Sequence, residues 1–427
     1  MASHFKRCRW NNAQRSSSAD QISVAVAASE IIGCNADLVV EILRRLPPKS
    51  VLRFKSVSKA WLSLISSSRF CLLHWQQQHP QSHDPKIAGL FLTGKYGSEF
   101  IKYIPLIHSE LKNGCNSSTI TINAEDVKQS LSAHFPDITS TVIEDSRNGF
   151  VLLYLVQKHQ NRMSYHVYNP TTKKLRTLPG LFYLSDSLYM IFDPLKSPHY
   201  KVVLLKTILN CGAYSCYVHI YSSQTHAWRA AQPNIGDHHP FRAPLSVHFG
   251  DGVYCNGSIH WISFSQLSQQ PSLYFDVDQE RFCPMPSAPF QPVTVQRWYF
   301  GESRGHLHLI EYCDGTGFNA NIFEMESDYS KWSLKYRVRL NSMMNDLIAS
   351  KPEMVVHPET LTVLGLIHGE DDGDVFLVIF VDPTMIISYN IKDNTFKKLD
   401  DVASLPVSSP PRPSWRVQRN IENIFPI

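Results

Sequence analysis

One local pattern recurs along residues 168–389 and limits the possible folds more than any other feature of the chain. In each copy an apolar, alternating stretch ends in an aromatic residue, a polar turn follows, and a second apolar stretch begins. The aromatics lie 53, 54, 48 and 66 residues apart, and they are Tyr168, Tyr221, Phe275, Phe323 and Tyr389. Alternation predicts β-strands, and a repeat of about 50 residues is typical of β-propeller blades with about four antiparallel strands.

Glycine motifs between these copies support the same prediction. Asn148-Gly149, Asn256-Gly257 and Arg304-Gly305 each precede alternating apolar residues, and glycine suits the tight turn into a strand. Dividing residues 86–406 by a blade of about 50 residues gives six or seven blades, and the sequence does not choose between them.

The two ends of this region should meet, because an open ring leaves an edge strand exposed to aggregation. The segment Ile87 to Leu106 matches the repeat poorly, and we expect it to pair with strands near Val375 to Tyr389. The proline-rich stretch 408–413 predicts an extended tail over 407–427 rather than another blade.

Helical spacing replaces alternation in residues 37–74. Leu38, Ile42 and Leu46 are four residues apart, and Val39 and Leu43 repeat that spacing, so the apolar stripe is wider than one packing surface uses. Prolines 47 and 48 end this helix. Two further short helices follow, and their apolar positions are Val51, Leu52, Phe54, Val57, Trp61, Leu64 and Ile65. Segments below about 40 residues rarely fold unaided, so we expect this one to bind a partner.

The order of residues in this segment resembles the F-box, the adaptor-docking module of Skp–cullin–F-box ubiquitin ligases. The matching residues are Leu38, Glu41-Ile42-Leu43, Arg45-Leu46-Pro47, Arg53-Phe54, Val57-Ser58-Lys59, Trp61, Leu64-Ile65, Phe70 and His74. The resemblance implies that residues 36–79 form a three-helix F-box, which binds a Skp-type adaptor and through it a cullin. The expected adaptor-binding residues are Leu38, Ile42, Leu43, Leu46, Pro47, Leu52 and Trp61. Asn35-Ala36 replaces the Leu-Pro pair that commonly opens the motif, and this departure bears on adaptor affinity.

The repeat region also resembles a known domain. Residues 192–203, 252–263 and 299–312 are similar to the F-box-associated domain common in plants. The expected fold is therefore α+β and multidomain, with a small three-helix F-box followed by a large all-β, kelch-like propeller over residues 86–406. The implied function is that of a substrate-recognition subunit, in which the propeller binds a target protein.

Composition narrows the class of protein. The 41 basic and 37 acidic residues leave a net charge of +4, which is small and dispersed, so we expect no nucleic acid partner. Nine scattered cysteines without a CxxC pair predict reduced thiols and a cytoplasmic or nuclear location.

Apolar runs in the sequence are too short to span a bilayer, and the longest, Val375 to Val381, predicts a buried strand. We read residues 1–35 as a disordered arm rather than a leader, because their apolar run is short and flanked by Asp20 and Glu30.

Candidate motifs for catalysis or metal binding are weak. His306 and His308 could bind a metal if Glu302 or Glu311 converged on them, but alternation with leucines favours an ordinary strand. His238-His239 and Asp371 to Asp374 are typical of loops and turns. We therefore expect no catalytic residue, metal or cofactor. The alternative is a propeller lectin or hydrolase whose F-box is incidental or serves a complex other than a ligase.

Two stretches combine arginine with aromatics outside the repeat pattern, and we expect them to bind the target. They supply Phe241 and Arg242 in one connection and Arg297 and Trp298 in another. Arginine, tryptophan and tyrosine are enriched at binding hot spots. The alternative is that Trp298 opens a buried strand and Phe241 fills a gap between blades.

Overall fold

The computed structural model describes residues 35–80, 85, 87–94, 101–106, 129, 131, 135, 138–157, 162–180, 187–231, 240–264, 270–290, 297–312, 318–350, 361–369, 373–381, 385–401 and 415–427. The chain divides into two compact units, one ending at Pro80 and the other covering residues 81–427. None of the described helices is both long enough and apolar enough to cross a membrane.

Residues 35–80 of the first unit form four helices: α1 (Ala36–Leu43), α2 (Pro48–Phe54), α3 (Lys59–Ser66) and α4 (Ser68–Gln78). The prediction of three helices is one short. Ser67 has an extended backbone after α3, and its hydroxyl accepts a hydrogen bond from the amide of Phe70, so it caps a separate fourth helix. The core of this unit is small, and its apolar members are Val39, Leu43, Val51, Ile65, Phe70, Cys71 and Trp75.

Six antiparallel sheets form the second unit among the described residues. The first in chain order pairs β1 (Gly89–Gly94) with β2 (Ile101–Pro105) and, from the end of the chain, β24 (Trp415–Asn420). The second contains β3 (Ile138–Arg147), β4 (Phe150–Gln157), β5 (Arg162–Asn169) and β6 (Lys174–Thr177). The third contains β7 (Ser187–Ile191), β8 (Lys201–Asn210), β9 (Ala213–Ser222), β10 (Ala227–Ala230) and β11 (Phe241–Ala243).

The remaining three sheets have four strands each. One contains β12 (Val253–Cys255), β13 (Ser258–Trp261), β14 (Ser272–Asp276) and β15 (Arg281–Met285). The next contains β16 (Arg297–Ser303), β17 (His306–Tyr312), β18 (Asn319–Met325) and β19 (Trp332–Arg339). After helix α5 (Asn341–Ser350), the last contains β20 (Leu361–His368), β21 (Val375–Val381), β22 (Met385–Asn390) and β23 (Thr395–Asp401).

The sheets form a β-propeller, as the sequence repeat predicts, and it has six blades, which is one of the two numbers that the repeat length allows. One strand of each sheet lies at the centre and contacts the corresponding strands of its neighbours, and these inner strands are β3, β7, β12, β16, β20 and β24. Middle strands are covered by adjacent blades, and many of their buried positions are apolar. β21 is the clearest case, and the prediction that Val375 to Val381 form a buried strand is confirmed.

Each aromatic of the sequence repeat lies on the third strand of its blade: Tyr168 on β5, Tyr221 on β9, Phe275 on β14, Phe323 on β18 and Tyr389 on β22. The turn into the fourth strand then contains one non-glycine residue with positive φ in every one of these blades. They are Lys173, His226, Glu280, Tyr329 and Asn394, with φ between 53° and 57°. Such residues are uncommon outside tight turns, so the repeat reflects one hairpin used five times.

The ring closes differently from the prediction. β1 pairs with β24 from Gly89–Asn420 to Gly94–Trp415, and not with the strands between Val375 and Tyr389. That region instead packs face to face on β1, with Leu90 and Leu92 against Val378 and Phe380. The expected tail at 407–427 is corrected accordingly. Residues 415–420 are the inner strand of the sheet that contains β1 and β2, and Ile421, Ile424 and Phe425 after it are buried.

Candidate functional site

The outward face of α1 is the first candidate site. Leu38 and Ile42, one helical turn apart, are 43% and 48% exposed, whereas Val39 and Leu43 on the neighbouring face are buried. The Asn35 side chain accepts hydrogen bonds from the amides of Asp37 and Leu38, at 3.1 and 3.2 Å. Asn35 therefore starts the helix where the usual Leu-Pro is missing, and it leaves both exposed side chains in an ordered turn.

The other predicted adaptor-binding residues are arranged around the turn after α1. Pro47 is exposed, and Leu46, Leu52 and Trp61 are half-buried, with Trp61 packing on Phe54 at 5.6 Å between ring centroids. The Leu46 carbonyl accepts a hydrogen bond from His74 Nε2 at 2.9 Å and another from Gln78 Nε2 at 3.1 Å. Helix α4 thus holds the turn in place. Burial lowers the pKa of His74, against the opposing effect of its bond to Leu46.

Leu43 requires a correction, because it is only 1% exposed and belongs to the helical core rather than to an outward face. Two exposed apolar residues were not among the predicted binding residues, namely Val57 and Leu62. Leu62 lies off the stripe formed by Trp61 and Ile65 on α3, and an apolar residue outside its helix's buried stripe is the signal that could have identified it.

The centre of the propeller is the second candidate site. The inner strands surround a cavity of about 650 Å³ whose charged lining residues are Glu144, Asp145, Arg147, Asp193, Lys196, Asp251, Glu302, Arg304 and Arg419. Its volume is in the range of small-molecule and peptide sites. Both signs of charge line the cavity, and of these residues the sequence analysis considered Glu302 alone, as a possible metal ligand.

Glu302 on β16 is at the centre of the largest ionic cluster in the cavity wall. Its carboxylate lies 3.3 Å from Arg147 Nη1 of β3 and 3.4 Å from Arg419 Nη1 of β24, and it also accepts a hydrogen bond from the Gly305 amide. Arg419 donates further bonds to the carbonyls of Glu302 and Leu366. Burial opposes the ionisation of Glu302, but the two guanidinium groups outweigh it and hold its pKa below the usual range. Arg147 also lies over the Tyr254 ring of β12 at 4.6 Å, so with the bond to Leu366 of β20 the cluster links five blades.

The four residues predicted to bind a target lie in strands and not in loops. Phe241 and Arg242 form part of β11, and Arg297 and Trp298 open β16. Phe241 stacks on Phe282 at 4.3 Å, and Trp298 packs on Phe264 at 4.7 Å, so both contribute to packing between blades. Phe241 and Arg242 lie in a strand because β9 is longer than β10. The part of β9 that extends past β10 pairs with β11 at the outer edge of the sheet.

The structure does not bring these four residues into one site. Arg242 is exposed, and its guanidinium donates to the carbonyls of Asn210 and Cys211 at 3.3 and 3.4 Å. Trp298, by contrast, lines the central cavity. The pair Phe241 and Arg242 and the pair Arg297 and Trp298 therefore lie at two separate positions on the ring.

The candidate metal ligands have other partners. His308 Nε2 lies 3.2 Å from Glu324, Glu311 accepts a hydrogen bond from Asn321, and Glu302 binds the two arginines. The described residues contain no group of three or more histidine, cysteine or acidic side chains placed to hold a metal. Cys211 is exposed and Cys216 is buried, both as free thiols. His238-His239 and residues 371–372 lie outside the described part of the chain.

Comparison with known proteins supports this architecture. Residues 35–73 match the F-box domain family, and residues 107–403 match the F-box associated beta propeller domain family. The chain is 31% identical over 428 residues to F-box protein At5g07610 of Arabidopsis thaliana, covering 93% of each chain. It is 24% identical over 315 residues to F-box/kelch-repeat protein At3g23880 of the same plant, covering 70% of this chain and 77% of the relative.

Among solved structures, TolB from Acinetobacter baumannii aligns with 73% of this chain and 69% of its own, at 10% identity and a TM-score of 0.34, which is too low to support any conclusion. The helical unit, the six-bladed ring and the sequence matches over most of the chain all indicate the same family. This protein belongs to the family of F-box proteins with an F-box associated β-propeller domain.

Proposed function

We propose that this protein is the substrate-recognition subunit of a Skp–cullin–F-box ubiquitin ligase. The helical unit binds a Skp-type adaptor and through it a cullin, while the propeller binds a target protein that other subunits modify. The chain itself performs no bond chemistry and needs no cofactor. It works in the cytoplasm or the nucleus, because these compartments are reducing and keep cysteines such as those of this chain as free thiols.

The observation that supports adaptor binding best is the exposure of Leu38 and Ile42 on an ordered helix. Two large aliphatic side chains on adjacent turns leave a continuous apolar strip in water. Burial of each against a partner is worth about 1.5–3 kcal/mol. Val57 and Leu62 are further exposed apolar residues of the same unit, and we include them in the proposed adaptor surface.

Target binding by the ring rests on its two unusual features. One is the charged central cavity, whose wall includes Trp298. The other is the outer edge of the third sheet, where Arg242 is exposed. Loops and edges of a rigid ring are free to vary, because the middle strands are committed to packing between blades.

Calorimetric titration of a purified Skp-type adaptor into the full chain tests the adaptor half of the proposal. Leu38→Asp combined with Ile42→Asp should abolish measurable heat, because each substitution places a charge in the apolar strip. The matched control is Leu334→Asp, which changes an exposed leucine of β19 in the ring. Undiminished binding by the double variant, or equal loss in the control, would contradict the proposal.

A further inference from the structure

The turn between α2 and α3 presents a serine beside the proposed adaptor surface. Ser56 lies in that turn and is exposed, and its hydroxyl donates a hydrogen bond to the Arg53 carbonyl at 2.8 Å. The next residue, Val57, is 57% exposed and belongs to the proposed adaptor surface. Trp61, a predicted adaptor-binding residue, follows in the first turn of α3, where its amide donates to the Ser58 hydroxyl. A group attached to Ser56 therefore lies next to side chains that the adaptor has to cover.

The charged residues around this turn are basic. Between Glu41 and Asp84 the sequence contains seven lysines or arginines and no aspartate or glutamate. The two acidic residues among the described residues of the helical unit are Asp37 and Glu41, and both lie on α1. Glu41 is already paired with Arg44 and Arg45. Negative charge added to the turn between α2 and α3 would therefore reverse the sign of charge in that part of the unit.

Ser56 also has basic residues at the spacing that an acidic kinase groove selects. Arg53 lies three residues before it and Lys59 three residues after it. Both side chains are exposed, and neither has an ion-pair partner among the described residues. Within residues 35–80, Ser56 is the only serine that follows an arginine by three residues. Pairing of opposite charges would steer this turn into such a groove and fix its register there.

We propose that a serine kinase with an acidic substrate groove phosphorylates Ser56, and that the phosphate releases the Skp-type adaptor. The kinase transfers the γ-phosphoryl group of ATP to Ser56 Oγ. An O–P bond forms at the serine, the bond to the β-phosphate breaks, ADP leaves, and the hydroxyl proton passes to a base of the kinase. A phosphoserine carries a charge of about −1.5 to −2 at pH 7, which is costly to desolvate at an apolar interface. This inference rests on the proposed adaptor role and adds a way to regulate it.

Phosphorylation of the purified full chain tests the site. The chain is incubated with ATP and a purified serine kinase that requires arginine three residues before the serine, and mass spectrometry maps the modified positions. Ser56 should carry phosphate. Ser18 and Ser342 have the same spacing from an arginine, so the chain with Ser18→Ala and Ser342→Ala is the matched control and should still be modified at Ser56. Absence of phosphate at Ser56 in both chains would overturn the inference.

Calorimetric titration with a Skp-type adaptor before and after kinase treatment tests the effect. Treatment should weaken binding about tenfold or more in the wild-type chain and in the matched control, and a phosphatase should restore it. The affinity of Ser56→Ala should be the same before and after treatment. Equal affinity of treated and untreated wild-type chain, an equal loss in Ser56→Ala, or a loss of helical circular dichroism on treatment would overturn only this inference. Absence of binding by the untreated wild-type chain would reject the proposed adaptor role, and this inference with it.

Discussion

Arg419 on β24 contacts Glu302 on β16, with Nη1 3.4 Å from the carboxylate, and so joins the C-terminal strand to the middle of the ring. Arg147 on β3 contacts the same carboxylate oxygen at 3.3 Å. One acidic side chain thus joins blades that are far apart in sequence. Its two partners contribute to the same cavity wall, so the closure of the ring and the shape of its centre depend on the same group.

Glu302→Gln should destabilise the propeller by about 2–3 kcal/mol. Removing one member of a fully buried ion pair costs about 3–5 kcal/mol. The side chains of Glu302 and its two arginines remain partly accessible to water, which reduces the expected loss. Urea denaturation of the full chain measures the change. The control is Glu280→Gln, which breaks the more exposed pair with Arg229 and should cost less than about 1 kcal/mol. Equal losses in the two variants would contradict the structural importance of the central cluster.

Buried histidines should make the stability of the ring fall with acidity. His260 packs against Tyr274 and Tyr329, with ring centroids 5.5 Å away in each case, and burial lowers its pKa to about 4. Its unfolded pKa is about 6.5, so between those values the unfolded chain binds more protons and stability drops as pH falls. One such group contributes a slope of about 1.4 kcal/mol per pH unit in this window.

His260→Phe keeps the aromatic stack and removes the titrating group, so it should reduce the slope of unfolding free energy between pH 6.5 and 4. His199→Gln, at an exposed position, is the control and should leave the slope as it is. Denaturation curves at pH 7, 6 and 5 provide the measurement. An unchanged slope in His260→Phe would show that this histidine does not drive the acid sensitivity.

Removal of residues 415–427 should abolish cooperative unfolding of the ring. The truncation exposes the edge of β1 and removes Arg419 together with the buried Ile424 and Phe425. Calorimetry and size-exclusion chromatography would show a broad transition and aggregation. A soluble truncated chain with a sharp transition would contradict closure by β24.

Alanine substitutions at Leu43 and Leu38 should differ in how much they destabilise the helical unit. Leu43→Ala removes a buried side chain and should cost about 2–5 kcal/mol, whereas Leu38→Ala changes an exposed one and should cost less than about 0.5 kcal/mol. Amide hydrogen exchange over residues 36–78 in the full chain measures each. Similar exchange in both variants would contradict the assignment of inward and outward faces.

Local pattern was enough to predict much of this fold. Tyr168 and its four counterparts fall on third strands, where they pack against apolar or aromatic neighbours, and alternation followed by a polar turn was enough to locate them. The identity of β24 was missed because the proline-rich stretch before it resembles a tail. Its partner β1 also lies more than three hundred residues away, which no local pattern reveals.

The centre of the ring was missed for a similar reason. Arg147, Glu302 and Arg419 come from three separate strands, and each is an ordinary charged residue in its own segment. Arg147 and Glu302 share one sequence feature, because each lies at the end of a strand, just before the turn that contains Gly149 or Gly305. The apolar stripe of α1 is predicted to be too wide for one surface, and the fold of the helical unit then exposes Ile42 and buries Leu43.

Ubiquitin transfer in a reconstituted ligase tests the central claim most directly. The assay uses the full chain, a Skp-type adaptor, a cullin with its catalytic partners, and a lysine-containing peptide selected for binding to this chain. The account predicts that the peptide is ubiquitylated with the wild-type chain and not with Leu38→Asp combined with Ile42→Asp, although both chains bind the peptide equally. Equal modification with the double variant, or no modification while wild-type chain binds both peptide and adaptor, would contradict the account.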